Sequence, residues 1–387
     1  MRRAARGHGS AWLIRRCSPG LGSLCSARMH PLSGADLATL SHVFRGAGHL
    51  APQARAKAMG IWGAALGRLP FTLAEQAWLA PRLPSLESMP PPVFILGHWR
   101  SGTTHLYQVM VEADFGFVPP AATGLPWDLF LIGTLFRKHI EARLPAKRYI
   151  DNIPVKPDSP QEDEIALANM SRLSFYHGIY FPKHMQRFVD QGVFFDGVDA
   201  HAQAHWNATF TYFLRKLFVH QGRKRLLIKN PVYTARMAHL RGLLPGAKFL
   251  HIHRDPVDVF LSMRNFYSKL LKEFALQDAG GLDIDELVLS TYARMMAALE
   301  RDRASAPPGS FAQIRYEDFA ANPLPELERV WAELDLGDFA KWRPRFAAYL
   351  DSVRSFEKNR FAQDQAVTAM VRARLGHWHA LYGKPAA

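Results

Sequence analysis

Between Pro92 and Gly97 stands a short apolar run with β-branched members, Val93-Phe94-Ile95-Leu96. The string Gly97-His98-Trp99-Arg100-Ser101-Gly102-Thr103-Thr104 follows at once, and then Leu106, Val109, Met110 and Val111 fall at helical spacing. A buried strand, a glycine-bounded loop and a helix opening on two threonines restrict the fold more than any other feature of the chain. Such a strand is apolar throughout because helices cover both its faces. Leu226–Ile228, Phe249–Ile252 and Phe311–Ile314 are further candidate strands, the first two each followed by a turn signal and a helical stretch. Strands alternating with helices predict an α/β protein with a P-loop-like, three-layer fold, its central parallel sheet having about four or five strands. Ligands of such sheets lie beyond the carboxyl ends of the strands, so the residues just after each strand are the candidates for chemistry.

Upstream, Leu37, Leu40, Val43 and Phe44, then Met59, Ile61, Trp62 and Leu66, give a helical pattern that Gly and Pro should break into short helices. The prolines from Pro84 to Pro92 read as a linker. We therefore expect a basic, disordered leader over residues 1–33, a helical extension with a Pro-rich linker over 34–91, and an α/β domain with a helical C-terminal segment over 92–387.

Charge separates the same regions. The 387 residues carry 48 Lys and Arg against 34 Asp and Glu, a net charge of +14. Ten of the basic residues and a single acid, Asp36, lie before Glu75, so the body is only mildly basic. A duplex-DNA binder would show a dense basic stripe or a reading motif, and neither is present, so nucleic acid is not an expected partner. The two cysteines, Cys17 and Cys25, leave the body without a disulfide or a thiolate metal site. The first 30 residues are rich in Arg and Ser, as in a transit peptide, but lack the apolar stretch of a secretory signal. They read as a leader or as sequence upstream of a start at Met29. No apolar run approaches the ~18 residues of a membrane span. A cytoplasmic protein is expected, with peripheral membrane contact through its N-terminal segment.

The loop after the first strand suits an anion: its glycines free the backbone, the helix start offers N–H groups, Thr103 and Thr104 add hydroxyls, and Arg100 adds charge. It keeps the glycine spacing of a nucleoside-triphosphate loop at Gly97 and Gly102 but has Thr103 where that loop has lysine, which argues against a Mg-triphosphate. After the third strand, Asp255 is a good N-cap, Pro256 a good first helical residue, and Arg254 is left on the ligand edge of the sheet. Ser262 lies two turns further on, so Arg254 and Ser262 together form a second anion site.

These two sites, in this order, resemble those of the sulfotransferases that use 3′-phosphoadenosine 5′-phosphosulfate (PAPS). Arg-Ser-Gly-Thr-Thr resembles the family's 5′-phosphosulfate loop, and Arg254 and Ser262, eight residues apart, its 3′-phosphate pair. Leu226–Pro231 and Leu243–Pro256 are similar to the bacterial and tyrosylprotein-type branch, and Arg315–Phe319 to a segment whose tyrosine contacts adenine. The resemblance implies sulfuryl transfer from PAPS, with PAP as the product, to a hydroxyl or amine of a small-molecule, lipid or glycan acceptor, without a metal. It implies that Arg100, Ser101, Gly102, Thr103, Thr104, Arg254, Ser262 and Tyr316 hold the donor. It also implies that Arg100 and Lys229 face the transferring group, with Lys358 and Asn359 as weaker contacts in a covering segment. Two other classes stand beside it: a P-loop kinase, and a non-catalytic protein that binds anions or membranes.

The base for the acceptor proton is less legible. The stretch Lys229-Asn230-Pro231-Val232-Tyr233 after the second strand offers no histidine, and the string after the first helix contains only Asp128 as an acid. The acidic string Glu162-Asp163-Glu164 ranks first, His98 second and Asp128 third. The aromatic stretch Phe175, Tyr176, Tyr180, Phe181, Phe188, Phe194 and Phe195 suggests an apolar acceptor pocket, although core packing is the commoner use of such residues.

Overall fold

The computed structural model describes residues 29–138, 142, 156–354 and 364–384. Most of the basic leader, and the covering segment with Lys358 and Asn359, lie outside the described residues. Four strands form one sheet: β1 (Val93–Leu96), β2 (Leu227–Lys229), β3 (Lys248–His253) and β4 (Phe311–Arg315). They run in the order β2-β1-β3-β4, and every pairing is parallel. The chain builds outward from β1 to β2, then returns to β3 on the other side of β1. The loops leaving β1 and β3 therefore open on the crevice where the winding reverses.

Alternation along β1 explains the layering. Phe94 and Leu96 enter one core with Trp206 and Phe210 of the helix Ala200–His220 and Val259 and Phe260 of the helix Pro256–Phe274. Val93 and Ile95 enter a second core with Leu106 and Val109, which follow the β1 loop, and with Trp331 and Phe346. Successive strand residues point to opposite faces, so one short strand anchors both helical layers. The sheet and its flanking helices have the predicted α/β, P-loop-like architecture.

The N-terminal extension departs from the sequence expectation. The helices α1 (Leu37–Ala47) and α2 (Arg55–Leu79) are not a string of short pieces; α2 runs 25 residues through three glycines and Pro70. Gly60, Gly63 and Gly67 have open space beside them, so they cost the helix only propensity. Its inner face compensates: Ala58, Ile61, Ala65 and Leu79 are buried. Arg68 binds Asp128, and Lys216 meets Glu75 at 2.6 Å. Met59 and Leu66 of the helical pattern face outward, and smaller Ala58 and Ala65 take inner positions. The fold also begins earlier than residue 34: Leu32 is fully buried, and a His30 ring nitrogen lies 3.0 Å from the Phe274 carbonyl oxygen. Leu32, Leu40, Val43 and Ile61 join the same core as Phe94, so the extension shares the core of the α/β region.

Candidate active site

The loop after β1 is shaped by the protein around it. Gly97 has φ 145°, and its N–H donates to Thr234 Oγ1 at 2.8 Å; a Cβ there would lie 2.4 Å from the Ile252 carbonyl oxygen. Gly102 has φ 99°, and a Cβ there would enter the Tyr316 ring at 2.2 Å. The two glycines are thus required by β3 and by Tyr316 as well as by any anion. Ser101 is buried, with its hydroxyl donating to the His98 and Ile252 carbonyls. It secures the loop to β3. Among the described residues, no side chain caps the helix that starts at Thr103, an N-terminus suited to an incoming anion.

Arg100 takes a left-handed backbone, φ 71°, and its Nε donates to Ser262 Oγ at 2.9 Å. This bond ties the β1 loop to the helix Pro256–Phe274 that follows β3. Asp255 caps that helix, accepting from Val257 N at 2.8 Å, as its place before Pro256 predicted. Arg254 holds Asp258 at 3.2 Å, and its guanidinium lies 4.8 Å from the centre of the Tyr316 ring. Its Nε is buried without a partner among the described residues, as is the indole N–H of Trp99. Two unused buried donors beside a cleft are what an anionic ligand requires.

Lys229, at the end of β2 and opposite Ile95 of β1, pairs with Glu162 and reaches Thr104 Oγ1 at 3.5 Å. Tyr176 OH lies 3.4 Å from the other Glu162 oxygen. The acidic string splits completely. Asp163 turns into the core to accept from Tyr233 OH, and burial raises its pKa to about 8. Glu164 is also buried, accepting from Ser174 Oγ at 2.7 Å, Phe175 N at 3.0 Å and Asn230 Nδ2 at 2.9 Å, and burial shifts its pKa upward. Of the three acids only Glu162 lines the cleft.

A cleft of about 880 Å³ gathers Trp99, Arg100, Gly102, Thr103, Thr104, Glu162, Arg254, Ser262 and Tyr316. Lys229 borders it through Glu162 and Thr104. His98 does not face it: the ring is buried against Tyr292, with Nδ1 2.9 Å from the Trp99 carbonyl oxygen, and burial lowers its pKa to about 4. Asp128 is remote, held by Arg68 and Thr72 of α2. Phe175, Tyr180, Phe181 and Phe188 are buried in the main core, so the aromatic stretch mostly packs; Tyr176 is the member that touches a site residue. Among the described residues, no three His, Cys, Asp or Glu side chains are grouped as metal ligands. Trp99, Asp258 and Thr234 are the contributors that sequence reasoning missed. Only Asp258 had a local signal, since it follows Arg254 by one helical turn.

A profile of the sulfotransferase family matches residues 91–340, and the chain belongs to that family. It is 31% identical over 288 residues to the omega-hydroxy-beta-dihydromenaquinone-9 sulfotransferase Stf3 of Mycobacterium bovis, covering 74% of this chain and 73% of the relative. The protein of the same name from Mycobacterium tuberculosis matches equally. Among solved structures, sulfotransferase STF9 from Mycobacterium avium aligns with a TM-score of 0.68 at 16% identity, covering 89% of this chain and 90% of its own. STF1 from Mycobacterium tuberculosis aligns at 0.60 and 16% identity, covering 88% and 91%. At that identity these two structures speak for the fold. The protein is thus a sulfotransferase, an enzyme that transfers a sulfuryl group, and the kinase and non-catalytic readings are set aside.

Proposed function

We propose that this enzyme takes its sulfuryl group from PAPS and passes it to the hydroxyl of an apolar, lipid-like acceptor. The observation that carries the reading is one cleft in which the β1 loop, Glu162, Arg254, Ser262 and Tyr316 converge, with Lys229 at its border. The family's general use of PAPS supports the donor. The relative named for an omega-hydroxylated dihydromenaquinone supports the acceptor class. PAPS, when bound, supplies the sulfuryl group and leaves as PAP.

The amides at the start of the helix Thr103–Met110 and the Thr104 hydroxyl bind the 5′ side of the donor. Arg100 and Lys229 offset the charge that develops as the sulfur–oxygen bond breaks. Arg254 and Ser262 hold the 3′-phosphate, and Tyr316 offers a ring to the base. Glu162 accepts the proton of the acceptor hydroxyl, and the pairing with Lys229 orients its carboxylate for that task. Contact with a membrane surface, where such acceptors reside, completes the reading.

Labelled sulfate transfer from PAPS to a panel of long-chain alcohols and hydroxylated isoprenoids tests this, with calorimetric titration of PAP alongside. Wild-type protein should bind PAP and label at least one apolar alcohol. Glu162→Gln should bind PAP as well as wild type and lose about 10²–10⁴-fold in turnover. Absence of PAP binding by the wild type would overturn the donor assignment; full turnover by Glu162→Gln would remove the base.

A further inference from the structure

The longest helix of the protein turns its charges inward and its apolar side chains to water. Between Lys57 and Arg82 the only ionic residues are Arg68 and Glu75, and both are engaged on the inner face, with Asp128 and Lys216. On the outer face, Met59 is 69% exposed and Leu66 and Leu73 are each 57% exposed. These three recur every seven residues, so they form one stripe along α2. Leu69, Phe71 and Trp78 widen it. The Trp78 ring lies 5.6 Å from Phe130, and the segment after Phe130 adds Leu135, 68% exposed. A contiguous apolar surface along a helix of 25 residues, about 37 Å at 1.5 Å per residue, is a docking surface rather than scattered exposure.

The rim says what it fits. Arg55 and Lys57 are exposed at one end of α2. Arg82 is exposed just beyond the other end, its guanidinium 4.6 Å from the centre of the Trp78 ring. No acidic side chain is exposed between Leu37 and Leu86. The turn Pro31–Gly34 packs on α2. An apolar floor, cations at both ends, a Trp at the boundary and no exposed acid on the helix itself complement anionic lipid headgroups over acyl chains. A second copy of the same face fits less well. Whether the two helices ran parallel or antiparallel, cations would meet cations with no acid between them.

We propose that α2 lies flat on an anionic membrane, with its Met59–Leu66–Leu73 stripe at the acyl boundary and Arg55, Lys57 and Arg82 at the level of the phosphates. It lies on the bilayer rather than through it: among the described residues, no helix is long and apolar enough to cross a membrane. The proposal does not depend on which donor or acceptor the cleft takes.

Co-sedimentation of the full chain with vesicles of phosphatidylcholine alone, and of phosphatidylcholine mixed with phosphatidylglycerol, is the test. The protein should pellet with the mixed vesicles, and less so in high salt. The double variant Leu66→Glu, Leu73→Glu should lose vesicle affinity by about tenfold or more. Its thermal unfolding and PAP affinity should match the wild type, since both side chains face solvent. Arg55→Glu with Lys57→Glu should weaken binding to the anionic vesicles only. Failure of the wild type to pellet, or undiminished pelleting of the leucine variant, would overturn the proposal. So would analytical ultracentrifugation showing a wild-type dimer that the leucine variant splits, because the face would then belong to a second copy. PAP binding, read separately, distinguishes any of these results from failure of the cleft assignment.

Discussion

The protein holds the same two kinds of ion pair in two places and uses them differently. Behind α2, Lys216 pairs with Glu75 and Arg68 with Asp128. At the cleft, Lys229 pairs with Glu162 and Arg254 with Asp258. The first set is enclosed between elements, with one donor, Arg68 Nε, left buried without a partner among the described residues. Lys216 Nζ also donates to the Pro126 and Trp127 carbonyls, and Glu75 accepts from the Phe130 and Leu131 amides. Asp128 accepts from Thr72, and Arg68 donates to the Ala35 carbonyl. Each charge there fastens one element to another. At the cleft, Arg254 keeps a buried Nε without a partner among the described residues, and the Lys229–Glu162 pair stands beside open space. A pair enclosed between packed elements is a structural joint; a pair that borders a cavity is available for chemistry.

The largest expected effect breaks the first set. Glu75→Ala leaves the Lys216 ammonium buried among carbonyls and should lower unfolding free energy by about 3–5 kcal/mol, measured by urea denaturation. Lys229→Ala should do the reverse: it should unfold near the wild-type midpoint but lose about 10²–10³-fold in sulfuryl transfer, read in steady-state kinetics. If Lys229→Ala were the less stable of the two, the contrast between the regions would fail. Arg254→Ala should weaken PAP binding by about 1.5–3 kcal/mol in calorimetry, with the fold intact.

The smallest effect concerns pH. The folded-state pKa of Asp163 is raised by burial to about 8, so the folded protein retains a proton that the unfolded chain releases near the ordinary aspartate value of 3.8. Stability from this group is therefore full below about pH 4 and is lost progressively as pH rises through 8. Asp163→Asn can still accept from Tyr233 and should flatten that decline, read as the melting temperature across the same range.

What was legible in the sequence was local. β1, its loop, the Asp255-Pro256 cap and the cations after each strand depend on neighbours in the chain, and each lies where pattern and turn chemistry placed it. The acidic string was legible only as a group. Consecutive residues point in different directions, so Glu162, Asp163 and Glu164 could not share one role, but which one reached Lys229 depended on a partner 67 residues away. The outward face of α2 was not legible for a related reason. Periodicity marks an apolar stripe without saying which side is inside, and Arg68 and Glu75 reverse the usual answer because Asp128 and Lys216 await them in the core.

The bond from Arg100 to Ser262 has a further consequence. It joins the two connections of the switch point and helps hold Arg100 in a backbone conformation that a non-glycine residue adopts at a cost of about 1–2 kcal/mol. The protein's own contacts thus shape the cradle, and an anion that meets it in this form would lose little affinity to reordering the loop. Ligand entry should therefore resemble lock-and-key association, with the Ser262 hydroxyl exchanging one partner for another and the backbone standing still.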